Sequence, residues 1–164
     1  MWSEVPNPEG QTRWRKRYAM GTFRLSGVGP HVRIQGDMYS AQYKDILENV
    51  VLPFANQNMP TRRIFQHDSD PKHTSRLEAD FLQSKEINPM EWPNQSQDLN
   101  LIEHLWEELA RPTSQVRVGN AGEKFNILSR EWALIPQPKI EALIDSMPRR
   151  CEAIVDSLGY PTKY

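Results

Sequence analysis

The densest polar run in the chain is His67-Asp68-Ser69-Asp70-Pro71-Lys72-His73, and it follows a segment, 62–67, that reads as a strand. In layered α/β proteins functional groups gather at the carboxyl ends of strands, so the position suits chemistry. A solvated turn accounts for the same residues, because Asp and Ser favour turns and Asp-Pro initiates them. Glu103 adds a second carboxylate, thirty-five residues beyond Asp68 and near the start of a helical pattern. A carboxylate at a strand end and another in the first turn of a packed helix can converge on one divalent ion. Hard oxygen ligands of this kind suit Mg²⁺ or Mn²⁺ rather than zinc. Taken by itself, Glu103 is better explained as a charge that complements the helix dipole. His67 either tunes a metal at Asp68 or makes an ordinary strand-end hydrogen bond. A hydrolase metal site built on His67, Asp70 and His73 would need further ligands, and the sequence offers none.

The elements that must position these groups follow from hydrophobic period. Two short alternating runs, 20–26 and 31–35, flank Gly27-Val28-Gly29-Pro30 and predict a β-hairpin turning at that Gly/Pro cluster. From Ser40, a plausible N-cap, Tyr43, Ile46, Leu47, Val50, Val51 and Phe54 recur every three or four residues. That spacing predicts an amphipathic helix, kinked or shortened at Pro53. Segment 62–67 is expected as a strand, 74–84 as a helix with Leu77, Phe81 and Leu82 inward, and 87–92 as a strand closed by Pro93. Residues 101–110 form a helix with Leu101, Ile102, Leu105, Trp106 and Leu109 on one face, stopped by Pro112. Helices at 121–134 and 138–158 follow, the second broken at Pro148. The order predicts an α/β layered arrangement. Trp92, Trp106 and Trp132 read as core or inter-helix anchors.

Composition excludes several classes. The chain has 164 residues, room for one ordinary domain with a core. Its formal net charge of -1 shows no global basic field. One cysteine, Cys151, excludes an internal disulfide framework and a cysteine zinc cage. No basic n-region precedes an apolar core at the start, and no apolar run is long enough to span a bilayer, so a soluble intracellular protein is expected. The basic-aromatic cluster of Arg13, Arg15, Lys16 and Arg17 with Trp14 and Tyr18 could hold DNA backbone, or simply blunt a strand edge with charge. Arg149-Arg150 could touch phosphate or end a helix with charge. His104, beside Glu103, could support that carboxylate or be a surface helix residue.

Two long blocks are more specific. Phe65-Gln-His-Asp-Ser-Asp-Pro-Lys-His-Thr-Ser75 and Glu91-Trp-Pro-Asn-Gln-Ser-Gln-Asp-Leu-Asn-Leu-Ile-Glu-His-Leu-Trp106 resemble the signature blocks of Tc/mariner DDE transposases. The stretch 27–34 with 43–47, and the tail Ser146-Met-Pro-Arg-Arg-Cys151 with Gly159-Tyr-Pro-Thr-Lys-Tyr164, resemble other parts of that family, so the likeness runs from about residue 20 to the last. The resemblance implies a ribonuclease-H-like core: an incomplete mixed sheet flanked by helices, with further C-terminal helices. It implies a nuclear, Mg²⁺-dependent (or Mn²⁺-dependent) enzyme that cleaves and joins DNA with two ions. Asp68 and Glu103 would be the second and third carboxylates and metal ligands. DNA, as transposon ends and target, would be the partner, with a homodimer or an intact transposase subunit as protein partner and no membrane. Lys72 and His73 join Arg13, Arg15, Lys16 and Arg17 as DNA-contact candidates, and Asp70 is a turn-former or DNA contact.

The resemblance also marks departures. The family's first carboxylate lies on the first strand of its core, where this chain has only Met1-Trp-Ser-Glu4, so Glu4 is a weak stand-in. Roughly twenty residues expected between Lys16 and the hairpin are absent. The paired helix-turn-helix domains of the family are missing from the sequence, and Gln97 and Leu101 stand where the family has proline. The expected division is a degenerate remnant of the first strand region over 1–19 and a catalytic domain over 20–164. Loss of one member of a catalytic unit commonly abolishes most of the rate. The expectation is therefore a truncated and inactive copy; the alternative is a remnant that only binds DNA or a transposase subunit.

Overall fold

The computed structural model describes residues 19–71, 73–93, 97–113, 119–158, 160, 162 and 164. Strands β1 (Ala19–Arg24) and β2 (Gly27–Arg33) pair antiparallel, with Met20 opposite Val32 and Phe23 opposite Val28. The hairpin is as expected, but it turns at Leu25-Ser26 and not at the Gly/Pro cluster, which lies inside β2. Gly27 opens that strand at φ +134°, a conformation that side chains avoid. Gly29 is needed for closeness: a methyl group there would strike the Thr22 hydroxyl and the Phe54 ring. These glycines serve the strand's start and its packing, and a count of turn-forming residues could not separate that from a turn.

Alternation along the hairpin sends side chains to two helical layers. Met20 and Ile34 pack with Tyr43, Ile46, Leu47, Val51, Phe81 and Leu82. Phe23 and Val28 pack against Ile102, Leu105, Trp106, Leu128, Trp132 and Ile140. Each such side chain, once buried, contributes about 1.5–3 kcal/mol, so the two clusters dominate the stability of the sandwich.

The first layer is one helical run: α1 (Ser40–Ile46), a single wide turn over Leu47–Val51, then α2 (Leu52–Asn58). The wide π-type turn immediately precedes Pro53, whose ring and missing N–H conflict with regular helical bonding. The run is neither cut nor shortened at Pro53. Tyr39, without a side-chain hydrogen bond, is the N-cap, and Ser40 is the first helical residue. Helix α3 (Arg76–Ser84) starts after Ser75, whose Oγ accepts the Glu78 N–H at 3.3 Å. Phe81 and Leu82 turn inward as expected, whereas Leu77 is 45% exposed and Glu78 occupies the buried position.

The two expected strands, 62–67 and 87–92, reduce to one parallel bridge between Phe65 and Pro89, closed by Met90 N–H on the Phe65 carbonyl at 2.8 Å. Pro89 has no N–H to extend a ladder, and Ile64 is 74% exposed where a parallel strand needs cover on both faces. Among the described residues the sheet is the antiparallel hairpin, and the parallel bridge is an isolated pairing outside it, where an incomplete mixed sheet is expected.

Helix α4 (Leu101–Thr113) carries its apolar face into the second cluster and continues through residue 112, one residue past the expected stop. The Thr113 hydroxyl closes its end on the carbonyls of Leu109 and Ala110. Helices α5 (Ala121–Ala133), α6 (Gln137–Asp145) and α7 (Met147–Asp156) complete the layer. The break expected at Pro148 falls at Ser146, and Pro148 stands in the first turn of α7, where proline is tolerated. Among the described residues no helix is long and apolar enough to cross a membrane.

Candidate functional site

Asp68 lies three residues beyond Phe65, where the chain leaves the parallel bridge and turns. Its Oδ1 accepts the Asp70 backbone N–H at 3.1 Å, and the Asp70 carbonyl accepts the N–H groups of His73 and Thr74 at 2.8 and 3.1 Å. The solvated-turn reading is therefore correct for the backbone. The turn also carries something more. His73 swings back so that its Nδ1 donates to Asp68 Oδ1 at 2.6 Å. Both hydrogen bonds reach the same oxygen, and Oδ2 accepts none from the described residues. The Asp68 side chain is 32% exposed.

Electrostatics follow from that arrangement. Burial alone would raise the Asp68 carboxyl, but the hydrogen bonds from His73 and the Asp70 amide outweigh it and hold the group below the usual carboxylate range. Asp68 is thus an anion with Oδ1 tied by two hydrogen bonds.

The turn is fastened to helix α1 by aromatic stacking. The His73 ring lies on Tyr43 at 4.0 Å between centroids, and the Tyr43 hydroxyl is 3.3 Å from His67 Nδ1. His67 makes the ordinary strand-end hydrogen bond, and burial lowers its pKa to about 4, so it is neutral. Tyr43 is fully buried, and burial, then the nearby carboxylates of Glu78, Asp68 and Asp70, push its hydroxyl well above the ordinary value. Sequence reasoning places Tyr43 only in the core stripe, because period reports burial and not which polar atom the ring tip meets.

Glu103 sits in the first turn of α4, half-buried between the buried Ile102 and Leu105. The approach to that turn is held by Arg150 from α7. Its guanidinium donates to the Ser146 hydroxyl at 2.7 Å, to the Asp98 carbonyl at 2.7 Å and to His104 Nε2 at 2.8 Å. Asp98 Oδ2 in turn accepts the Thr162 N–H at 2.9 Å. Arg150 is only 4% exposed, so the phosphate contact suggested for Arg149-Arg150 is not open to it. His104 accepts from Arg150 and is neutral, its pKa lowered by burial and by that cation. It braces the start of the Glu103 helix.

Glu78 could not be foreseen either. It is completely buried on α3, and neither carboxylate oxygen has a hydrogen-bond partner. Burial raises its pKa to about 7. The expected roles of Glu4, Arg13, Arg15, Lys16, Arg17 and Lys72 fall outside the described residues. Among the described residues, no three His, Cys, Asp or Glu side chains come together as a metal-holding group.

Comparison with known proteins settles the family. The profile of the DDE superfamily endonucleases matches residues 4–122, a span that takes in Asp68 and Glu103. The chain is 48% identical over 144 residues to the transposable element Tcb1 transposase of Caenorhabditis briggsae, covering 88% of this chain and 53% of that one. The chain belongs to the Tc/mariner DDE transposases. It spans about half the length of the curated relatives it matches. Its fold is similar to the crystal structure of the Mos1 mariner transposase catalytic domain, with a TM-score of 0.78 at 22% identity over 99% of this chain and 81% of that one. It is equally similar to the Mos1 paired-end complex with Mg, with a TM-score of 0.79 at 21% identity, 99% of this chain and 55% of that one being covered. Those neighbours establish the ribonuclease-H-like fold: hairpin and bridge between helical layers are the described part of such a DDE transposase core.

Proposed function

We propose that the chain carries the second and third carboxylates, Asp68 and Glu103, of a site that cleaves and joins DNA at transposon ends, and that it is catalytically defective because the stretch that the resemblance expects between Lys16 and the hairpin is absent. The observation that carries this reading is Asp68 itself: an ionised carboxylate at the end of the bridged segment, with Oδ1 fixed by His73 and Asp70. Its Oδ2 is a hard oxygen donor of the kind that Mg²⁺ or Mn²⁺ takes. The Mos1 paired-end complex, which shares this fold and contains Mg, supports that cation class. Asp68 and Glu103 would hold the cation, and it would supply charge neutralisation at the in-line phosphorus centre and activation of a water or 3′-hydroxyl.

The chain's own residues would do the positioning. His73 fixes the Asp68 rotamer, and Tyr43 and His67 hold the His73 ring against α1. Arg150 and His104 fix the first turn of α4. With two carboxylates where a shared pair of ions needs more, metal affinity would be weak. The site would act on nuclear DNA, and a homodimer or an intact transposase subunit would be its protein partner. The division at residues 19 and 20, remnant before and catalytic domain after, belongs to the same proposal.

The test is Mg²⁺- or Mn²⁺-dependent nicking of plasmid DNA by the purified chain, with Asp68→Ala as the control. The expected result is no nicking above the control. Nicking that disappears in Asp68→Ala would show a working site and overturn the reading of a defective one. DNA binding that persists in both Asp68→Ala and Glu103→Ala is the outcome expected of a remnant that retains contacts but not catalysis.

A further inference from the structure

Glu103 lies in the first turn of α4, and the chain leading into that turn is held from two places far along the sequence. A single 3₁₀ turn, Gln97–Leu99, comes immediately before α4, with Asn100 between them. The Asn100 carbonyl accepts the Glu103 N–H at 3.1 Å, so the direction of the 3₁₀ turn passes to the backbone of the carboxylate itself. Asp98, inside that turn, is gripped by both its backbone and its side chain. Its carbonyl accepts from Arg150 at 2.7 Å, and its Oδ2 accepts the Thr162 N–H at 2.9 Å.

Thr162 and Tyr164 complete the clamp. The Tyr164 N–H donates to the Thr162 hydroxyl at 3.2 Å, and the Tyr164 ring lies over the Arg150 guanidinium, 4.7 Å from its carbon to the ring centroid. A cation this close to the face of a tyrosine is attracted to it. The edge of the same guanidinium is already occupied by Ser146, Asp98 and His104, so the ring adds a hold on its face. One nitrogen, Nη1 of Arg150, meets the chain at Asp98 and again at His104, on either side of Glu103. Hydrogen bonds from the Thr162 side chain and then its amide hold the Asp98 carboxyl below the usual carboxylate range, which keeps it a charged acceptor.

We propose that Thr162 and Tyr164, acting through Asp98 and Arg150, are positioning residues for Glu103: they strap the 3₁₀ turn and the first turn of α4 into one orientation and so set where the carboxylate points. Groups that orient a metal ligand from outside matter nearly as much as the ligand. The metal-holding role of Glu103 rests on the function proposed above, whereas the strap is a property of the fold and is tested apart from it. If Tyr164 only covered Arg150, any apolar side chain would serve. A hold on the guanidinium face needs an aromatic ring, so leucine and phenylalanine at this position separate the two roles.

The full chain is compared with Tyr164→Leu, Tyr164→Phe and Asp98→Ala by hydrogen exchange and by Mn²⁺ titration. In Tyr164→Leu and Asp98→Ala the amides of Glu103 and Leu105 should exchange about tenfold faster, while those of Tyr43 and Leu47 in the other helical layer keep their rates. Tyr164→Phe should keep the unsubstituted chain's rates throughout. Mn²⁺ affinity should fall about tenfold in Tyr164→Leu and be retained in Tyr164→Phe. Equal acceleration in both layers would show a global loss of stability and overturn the proposal. Leucine behaving like phenylalanine, unchanged exchange in every variant, or the same Mn²⁺ affinity in all of them would overturn it too. The expected exchange pattern in a chain that binds no Mn²⁺ would uphold the strap and overturn the metal-holding role of Glu103 alone.

Discussion

His73 Nδ1 and Asp68 Oδ1 stand 2.6 Å apart, a charge-assisted bond that closes the turn after the bridged segment. Removing the ring in His73→Ala leaves burial as the dominant influence on Asp68, so its carboxyl pKa should rise. A carbon-detected NMR titration of the Asp68 carboxyl reads this directly, and an unchanged midpoint would show that His73 does not hold the anion.

Glu78 should destabilise the chain at neutral and alkaline pH. Its pKa is raised to about 7 from an ordinary 4.5, so the folded state keeps a proton that the unfolded chain releases. Stability from this group is full below pH 4.5 and is lost as pH rises towards and through 7. Glu78→Val removes two unpartnered buried oxygens and should raise unfolding free energy by about 2–3 kcal/mol at pH 8, and by less at pH 5. Urea denaturation at the two pH values measures both.

Two histidines act with the opposite sign. His31 is packed among Phe125, Trp106 and Trp132, and burial lowers its pKa to about 4; His67 is lowered to about 4 as well. Each is neutral when folded and protonated when unfolded below pH 6.5, so stability falls as pH drops from 6.5 towards 4, by about 2–3 kcal/mol per group at most. Glu78 offsets part of that loss. In His31→Gln the slope of stability against pH over this window should be shallower, whatever the variant's absolute stability.

Much of this is legible in the sequence, and the reasons are particular. Tyr43, Ile46, Leu47 and Val51, like Leu105, Trp106 and Leu109, repeat at helical spacing, and their burial follows from period alone. The two signature blocks reveal the family because long motifs carry information that single residues lack. The hairpin turn falls away from the Gly/Pro cluster because Gly27 and Gly29 answer to backbone angle and close packing, which composition does not distinguish from a turn. The strands expected at 62–67 and 87–92 shrink to a bridge because strand pattern says nothing about whether a neighbour is present to pair with. Arg150 reads in the sequence as either a phosphate contact or a charged helix end, since a local charge pair cannot show that Asp98 and His104, far away along the chain, converge on it.

Arg150 should prove a structural keystone for the Glu103 helix. Arg150→Ala leaves the Ser146 hydroxyl, the Asp98 carbonyl and His104 Nε2 without their donor, a loss of about 3–5 kcal/mol by analogy with other buried charged groups. Thermal unfolding should show the drop, and hydrogen exchange should quicken at the amides of residues 100–104. Arg150→Lys should recover only part of it, since an ammonium cannot reproduce the planar fork. Full recovery by lysine would mean that charge, and not geometry, matters there.

The central claim is that Asp68 and Glu103 face one divalent cation. Titrating the isotope-labelled chain with Mn²⁺ and following paramagnetic line broadening tests it most directly. The account predicts weak binding that broadens the resonances of both Asp68 and Glu103 together, with Asp68→Ala abolishing the broadening at Glu103 and Glu103→Ala abolishing it at Asp68. Broadening at one residue that survives loss of the other, or no broadening at either, would contradict it.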